Sequence, residues 1–207
     1  PLYSWGPLIH NPQVVTFLEG KGLRVISDSI QVQQGDRVVI RSHGISPLIL
    51  QELKARGAQI IDATCPLVKK AQDRISELNR EGYQVLLLGD HTHAEVQALL
   101  DYAPPSRIKV VSSMSNLGSL DLEKRVGVVS QTTQGEALLR EVVGALVFRV
   151  DELKVFNTLC DFTAARLAAA LKVAKEVGLL LVVGGRESAN TGRLRDACRE
   201  ILSATYQ

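Results

Sequence analysis

Short apolar runs recur along the chain, each followed by a polar loop and then by a stretch with helical spacing. A strand over 38–40 leads into Ser42-His43-Gly44 and a helix over 47–56. A buried strand over 59–62 leads into Thr64-Cys65 and a helix over 66–80, with Pro66 at the first helical position, where a missing N–H costs nothing. A strand over 85–88 precedes Asp90-His91-Thr92-His93 and a helix over 94–100. A strand over 126–129 precedes Ser130-Gln131-Thr132-Thr133 and a helix over 136–143. A strand over 179–183 precedes the polar loop 184–191 and a helix over 192–202, with no strand expected after it. Residues 148–157 read as a strand-like approach to Cys160, which heads an apolar-periodic helix over 162–177. Pro104-Pro105-Ser106 and residues 112–116 read as turn-rich connectors.

Strands without clean alternation, separated by helices, predict an α/β fold of repeated β-loop-α units with parallel sheets covered on both faces. Ligands of such sheets bind beyond the carboxyl ends of the strands. The polar residues of this chain concentrate there, and all four histidines, His10, His43, His91 and His93, fall in loops or at segment starts. Ser, Thr and Asn in these loops also serve as helix caps. Capping alone, however, does not call for His, Cys and repeated Thr in loop after loop.

Cys65 and Cys160 share one design, a thiol at the joint where an extended segment meets a helix N-terminus, a setting that suits negative charge. Each is a candidate nucleophile or metal ligand, the alternative being a small buried apolar residue. They stand far apart in sequence, which excludes a local zinc knuckle and fits the distributed ligation of an iron–sulfur cluster. Cys198 sits within a helical stretch beside Ala197 and reads as core packing.

The bulk properties narrow the field. The 207 residues are 45% hydrophobic and 22% charged, the range of an ordinary globular protein. A net charge of +2 and 4% aromatic residues offer neither a basic footprint nor a stacking platform for nucleic acid. No apolar run is long enough to span a bilayer, and three cysteines make no disulfide framework, so a cytoplasmic, reducing compartment fits best. Pro1-Leu2-Tyr3-Ser4-Trp5 is not a signal peptide and lacks a starting Met, and the chain reads as a piece cut at both ends.

Five segments together resemble the 4-hydroxy-3-methylbut-2-enyl diphosphate reductase family, which closes the methylerythritol phosphate route to isoprenoids. They are Ile9-His10-Asn11, Ser42-His43-Gly44-Ile45-Ser46, Asp62-Ala63-Thr64-Cys65-Pro66-Leu67-Val68, Val129-Ser130-Gln131-Thr132-Thr133, and the stretch 183–191 with Arg193-Leu194. The resemblance covers essentially the whole chain. It implies pseudo-threefold related α/β domains, here one complete (66–157) and two partial (1–65 and 158–207), around a central cavity. It further implies a [4Fe-4S] cluster held by one cysteine per domain, with an open iron that takes the substrate's hydroxyl. Two electrons from a donor such as ferredoxin or flavodoxin then release water and yield isopentenyl and dimethylallyl diphosphate. Carried over by position, Cys65 and Cys160 match two cluster ligands, and His10 and His43 match diphosphate-binding histidines. His93 matches a substrate contact and Glu95 the carboxylate of a proton relay, with Thr132 as its partner; Ser188 and Asn190 match the loop that holds diphosphate oxygens.

Some positions depart from the family pattern. Ala94 stands where proline is usual, Gln97-Ala98 where a glycine usually follows, and Ala189 where a serine hydroxyl is usual. The family's first cluster cysteine belongs to a Gly-Phe-Cys segment ahead of Pro1, and Cys198 is in the wrong place to replace it, so the chain on its own is expected to be inactive. Two other readings remain. One is a phosphate-binding α/β protein without redox activity that keeps His10, His43, Ser188 and Asn190. The other is a zinc or mononuclear metal hydrolase using Cys65, Cys160 and a histidine, against which stands the want of a close ligand pair beyond His91 and His93.

Overall fold

The apolar runs form strands and the spaced stretches form helices, in the order β1 (Leu2–Trp5), α1 (Pro12–Gly20), β2 (Leu23–Ile26), β3 (Arg37–Ile40), α2 (Pro47–Ala55), β4 (Gln59–Asp62), α3 (Pro66–Arg80), β5 (Gln84–Leu88), α4 (Ala94–Leu100), β6 (Ile108–Val111), α5 (Met114–Gly118), β7 (Arg125–Ser130), α6 (Glu136–Leu146), β8 (Glu152–Phe156), α7 (Asp161–Glu176), β9 (Leu180–Leu181), α8 (Ala189–Arg199) and β10 (Thr205–Tyr206). The computed structural model describes every residue except His10, Glu187 and the side chain of Ala189.

Among the described residues the strands form three sheets, two of four strands and one of two, and every strand pair is parallel. They fall within residues 2–62, 84–156 and 180–206. The two larger sheets share one topology: β2-β1-β3-β4 and β6-β5-β7-β8 both place the first strand of the set between the second and third. Strand order therefore reverses between β1 and β3 in one sheet and between β5 and β7 in the other. In an open α/β sheet that reversal opens a crevice beyond the carboxyl ends of the two strands.

The second sheet has the heavier core. β5 is buried along its whole length, because helices cover both of its faces. Val85 and Leu87 pack with Ala71, Ile75 and Leu78 of α3 and Val96 and Leu99 of α4. Leu86 and Leu88 pack on the other side with Leu117 of α5 and Leu139, Val142 and Leu146 of α6. The apolar stripe of α3 follows from the spacing of Val68, Ala71, Ile75 and Leu78. The first sheet is held by Tyr3, Ile26, Val38, Ile40, Ile45 and Leu53.

The chain divides into two compact units: Pro1–Leu8 with Gly22–Leu159, and Ile9–Lys21 with Cys160–Gln207. The first holds the two four-stranded sheets, and the second holds α1, α7, α8 and the two-stranded sheet. Among the described residues no helix is long and apolar enough to cross a membrane.

Several expectations need correction. β4 is a sheet edge, with Ile61 44% exposed, where a buried strand was expected. A two-residue β10 follows the last helix and pairs with β9, which the polar stretch around Thr205 gave no apolar signal for. Residues 112–116 hold the start of α5, whose first turn is capped by Ser113 accepting from the Asn116 amide at 3.2 Å. α8 begins at Ala189 rather than 192, because Ser188 is its N-cap, and α6 runs to Leu146, which buries a further leucine.

Candidate active site

The loop after β3 carries His43. Gly44, at φ +79°, makes the turn, and its missing Cβ leaves room for the Gln72 side chain, whose Nε2 would stand 2.4 Å from a methyl there. The Ser42 carbonyl accepts the Cys65 N–H at 3.0 Å, which pins the head of α3 beside His43. Asp62 braces the same joint: it accepts the Thr64 N–H at 2.9 Å and pairs with Lys69 at 2.6 Å. Burial raises the Asp62 carboxyl, but the Lys69 contact and the bonds from Thr64 outweigh it and hold it below the usual carboxylate range. Cys65 is half-buried and free, and its side chain makes no capping hydrogen bond.

The loop after β5 carries His93, the N-cap of α4. Its Nδ1 accepts the Glu95 N–H at 3.2 Å. A ring nitrogen that accepts a backbone N–H carries no proton, so in neutral His93 the proton sits on Nε2. The His43 and His93 rings stand edge to face with centroids 5.5 Å apart. Tyr102, just past α4, donates to the Ile45 carbonyl at 3.3 Å and so braces the loop after β3. Burial, with Asp62 and Asp73 adding to it, pushes that phenol up to about 12.

Glu95 is 2% exposed and faces the loop after β7. Its Oε1 accepts the Thr132 N–H at 2.7 Å and its Oε2 accepts the Thr132 hydroxyl at 2.8 Å. Burial pushes the Glu95 carboxyl up; the two bonds from Thr132 favour the charged form but do not cancel that effect. The result is a buried carboxyl that holds its proton more tightly than an exposed glutamate, at the strand-order reversal of the second sheet.

Within the first unit these contacts join Cys65, His43, His93, Glu95 and Thr132. The second unit holds Cys160, Ser188 and Asn190. Cys160 is half-buried, free, and the N-cap of α7 without a side-chain capping bond. Ser188 caps α8, its Oγ accepting the Thr191 N–H at 3.4 Å. Asn190 lies in the first turn of α8, and its Oδ1 is buried with no hydrogen-bond partner among the described residues. His10 lies outside the described residues, as does the side chain of Ala189. His91 is exposed, and its carbonyl accepts from Gln97. Cys198 is fully buried, and burial pushes its thiol up.

Among the described residues no three of His, Cys, Asp and Glu converge as a metal site. Sequence reasoning did not single out Gln131 or Thr158, both buried polar residues beside the site. A glutamine inside Ser130-Gln131-Thr132-Thr133 carries no local signal of burial; only the fold supplies it.

Comparison with known proteins gives one consistent result. A profile of the family described as LytB protein matches residues 1–207. A Geobacter sulfurreducens protein named 4-hydroxy-3-methylbut-2-enyl diphosphate reductase is 44% identical over 204 residues, covering 99% of this chain and 72% of its own length. A protein of the same name from Aquifex aeolicus is 41% identical, covering 99% of this chain and 71% of its own. A solved (E)-4-hydroxy-3-methyl-but-2-enyl diphosphate reductase, described as the terminal enzyme of the non-mevalonate pathway, superposes with a TM-score of 0.75 at 40% identity, over 99% of this chain and 73% of that one. A solved Plasmodium falciparum reductase gives a TM-score of 0.91 at 27% identity, over 100% of this chain and 66% of that one.

Proposed function

Because this chain belongs to the LytB family of 4-hydroxy-3-methylbut-2-enyl diphosphate reductases, we propose that it takes part in the reductive removal of the substrate's hydroxyl, giving isopentenyl and dimethylallyl diphosphate. Loss of the hydroxyl as water requires a proton on oxygen, addition of hydrogen at carbon requires a second, and two electrons balance the charge. The observation that carries the reading is Glu95, a buried carboxyl whose proton affinity is raised and whose oxygens are both fixed by Thr132. Glu95 holds a proton at one carboxyl oxygen, and the Thr132 hydroxyl beside it is the relay. His93, with its proton on Nε2, and His43 at 5.5 Å present donors to the substrate. The family resemblance assigns His10, Ser188 and Asn190 to diphosphate oxygens, and for the last two the head of α8 favours negative charge.

Cys65 and Cys160 suit a [4Fe-4S] cluster in their own chemistry: both are free, half-buried, at helix heads, and neither thiol is used as a cap. Each would supply one thiolate. When bound, the cluster supplies electrons and a Lewis-acid iron for the hydroxyl. A small carrier such as ferredoxin or flavodoxin would deliver the electrons, and a reducing compartment such as the cytoplasm suits that chemistry.

The test is anaerobic purification of the protein expressed from its intact gene, with iron and sulfide assays. An iron–sulfur chromophore that is lost in Cys65→Ser and in Cys160→Ser, and kept in Cys198→Ala, supports the reading. A colourless protein that still binds diphosphate would instead assign the chain to phosphate binding without redox chemistry.

A further inference from the structure

Gln131 is fully buried, and its carboxamide bridges the loop ahead of α4, whose first turn bears Glu95, and the loop after β7, which bears Thr132. Its Oε1 accepts the Asp90 N–H at 3.0 Å, and its Nε2 donates to the Thr133 hydroxyl at 2.8 Å. Its own N–H donates to the Leu88 carbonyl at 2.7 Å, at the end of β5. Gly89 makes the approach possible, since a Cβ there would stand 3.0 Å from Gln131 Oε1 and 2.7 Å from Val96.

From Asp90 the bonding continues toward the carboxylate. Asp90 Oδ1 accepts from the N–H and the hydroxyl of Thr92, both at 2.8 Å, and the Asp90 carbonyl accepts the His93 N–H at 3.0 Å. His93 caps Glu95, and Glu95 returns to Thr132, the neighbour of Gln131. The path Gln131–Asp90–His93–Glu95–Thr132 is a closed ring across the crevice between β5 and β7.

We propose that Gln131 is a positioning residue that sets the registration of Glu95 against Thr132 by clamping the Asp90 turn to the loop after β7. It acts through those residues and touches no substrate. This rests on the reading of Glu95 as proton carrier. A shift of about 1 Å in a catalytic group is enough to cost up to about 100-fold in rate, so a clamp of two hydrogen bonds has leverage on turnover while leaving substrate contacts in place.

The experiment compares Gln131→Met, which keeps the volume and removes both bonds, with Thr133→Val, which removes one, in the wild-type and Glu95→Gln backgrounds. Turnover, KM and amide hydrogen exchange are measured on the reconstituted protein from the intact gene. The expected result is a kcat about tenfold lower or more in Gln131→Met, a smaller loss in Thr133→Val, and KM within about twofold. Exchange at the Asp90 and Thr132 amides should quicken while that of β5 holds, and Gln131→Met should add nothing to Glu95→Gln. An unchanged kcat, a loss confined to KM, a further loss on top of Glu95→Gln, or unaltered exchange at Thr132 would overturn the proposal. If Glu95→Gln by itself leaves kcat intact, the proton-carrier reading fails instead. Should Gln131→Met not fold, Thr133→Val carries the same comparisons.

Discussion

Glu95 and Thr132 are joined twice: the backbone N–H of Thr132 reaches one carboxylate oxygen at 2.7 Å and its hydroxyl reaches the other at 2.8 Å. One residue on the loop after β7 thus fixes the plane of a carboxyl at the head of α4. Glu95→Gln keeps the shape but cannot give up a proton. Turnover is expected to fall by about 10²–10⁴-fold, the usual worth of a general acid, with a much smaller change in KM. Steady-state kinetics on the reconstituted enzyme checks it.

The pH dependence follows from the same pair. A donor must be protonated, so activity is lost as pH rises through the raised Glu95 value. The Thr132 hydroxyl bond favours the charged form; Thr132→Val removes it and should move the alkaline limb to higher pH. A limb that moves downward would contradict the pairing.

Stability should carry the same signature. Glu95 is more readily protonated in the folded state than in the unfolded one, so the folded state binds more protons and is weakened as pH rises from the unfolded value through the raised folded one. Glu95→Gln removes that dependence. Its stability relative to wild type should therefore grow as pH rises above the ordinary glutamate value and level off once the raised folded value is passed, read from urea denaturation at each pH.

His93 has two duties that separate by substitution. As N-cap it accepts the Glu95 N–H; as a donor it offers Nε2. His93→Ala should cost about 1 kcal/mol of stability, and His93→Asn only a few tenths, since asparagine caps well. Both should weaken substrate binding alike. Denaturation curves and KM measured together distinguish the roles.

Thr158 clasps the end of β7: its hydroxyl donates to the Ser130 carbonyl at 2.6 Å and accepts the Ser130 N–H at 2.9 Å, all buried. Thr158→Val leaves both Ser130 groups unpaired and should cost about 1–3 kcal/mol, read as a fall in the urea midpoint at unchanged slope.

Much of this was legible in the sequence. The heads of α2, α3 and α4 stand where Pro47, Pro66 and His93 announce them, because an N1 proline and a capping loop are local signals. The parallel sheets follow from apolar runs such as 85–88, which only a strand covered on both faces tolerates. What escaped was non-local. The exposure of Ile61 depends on β4 being an edge, and β10 exists only because β9 lies beside it. The His43–His93 contact and the buried bridge of Gln131 depend on two loops brought together by the order of strands, which no stretch of sequence encodes by itself.

The measurement that bears most directly on the central claim is product analysis after incubating the reconstituted protein, expressed from its intact gene, with 4-hydroxy-3-methylbut-2-enyl diphosphate and a chemical reductant without oxygen. Isopentenyl and dimethylallyl diphosphate should form, with two electrons consumed per molecule, and formation should vanish in Cys65→Ser and fall sharply in Glu95→Gln. Tight binding of the diphosphate with no reductant consumed and no product formed, in a protein that holds its iron and sulfide, would contradict it.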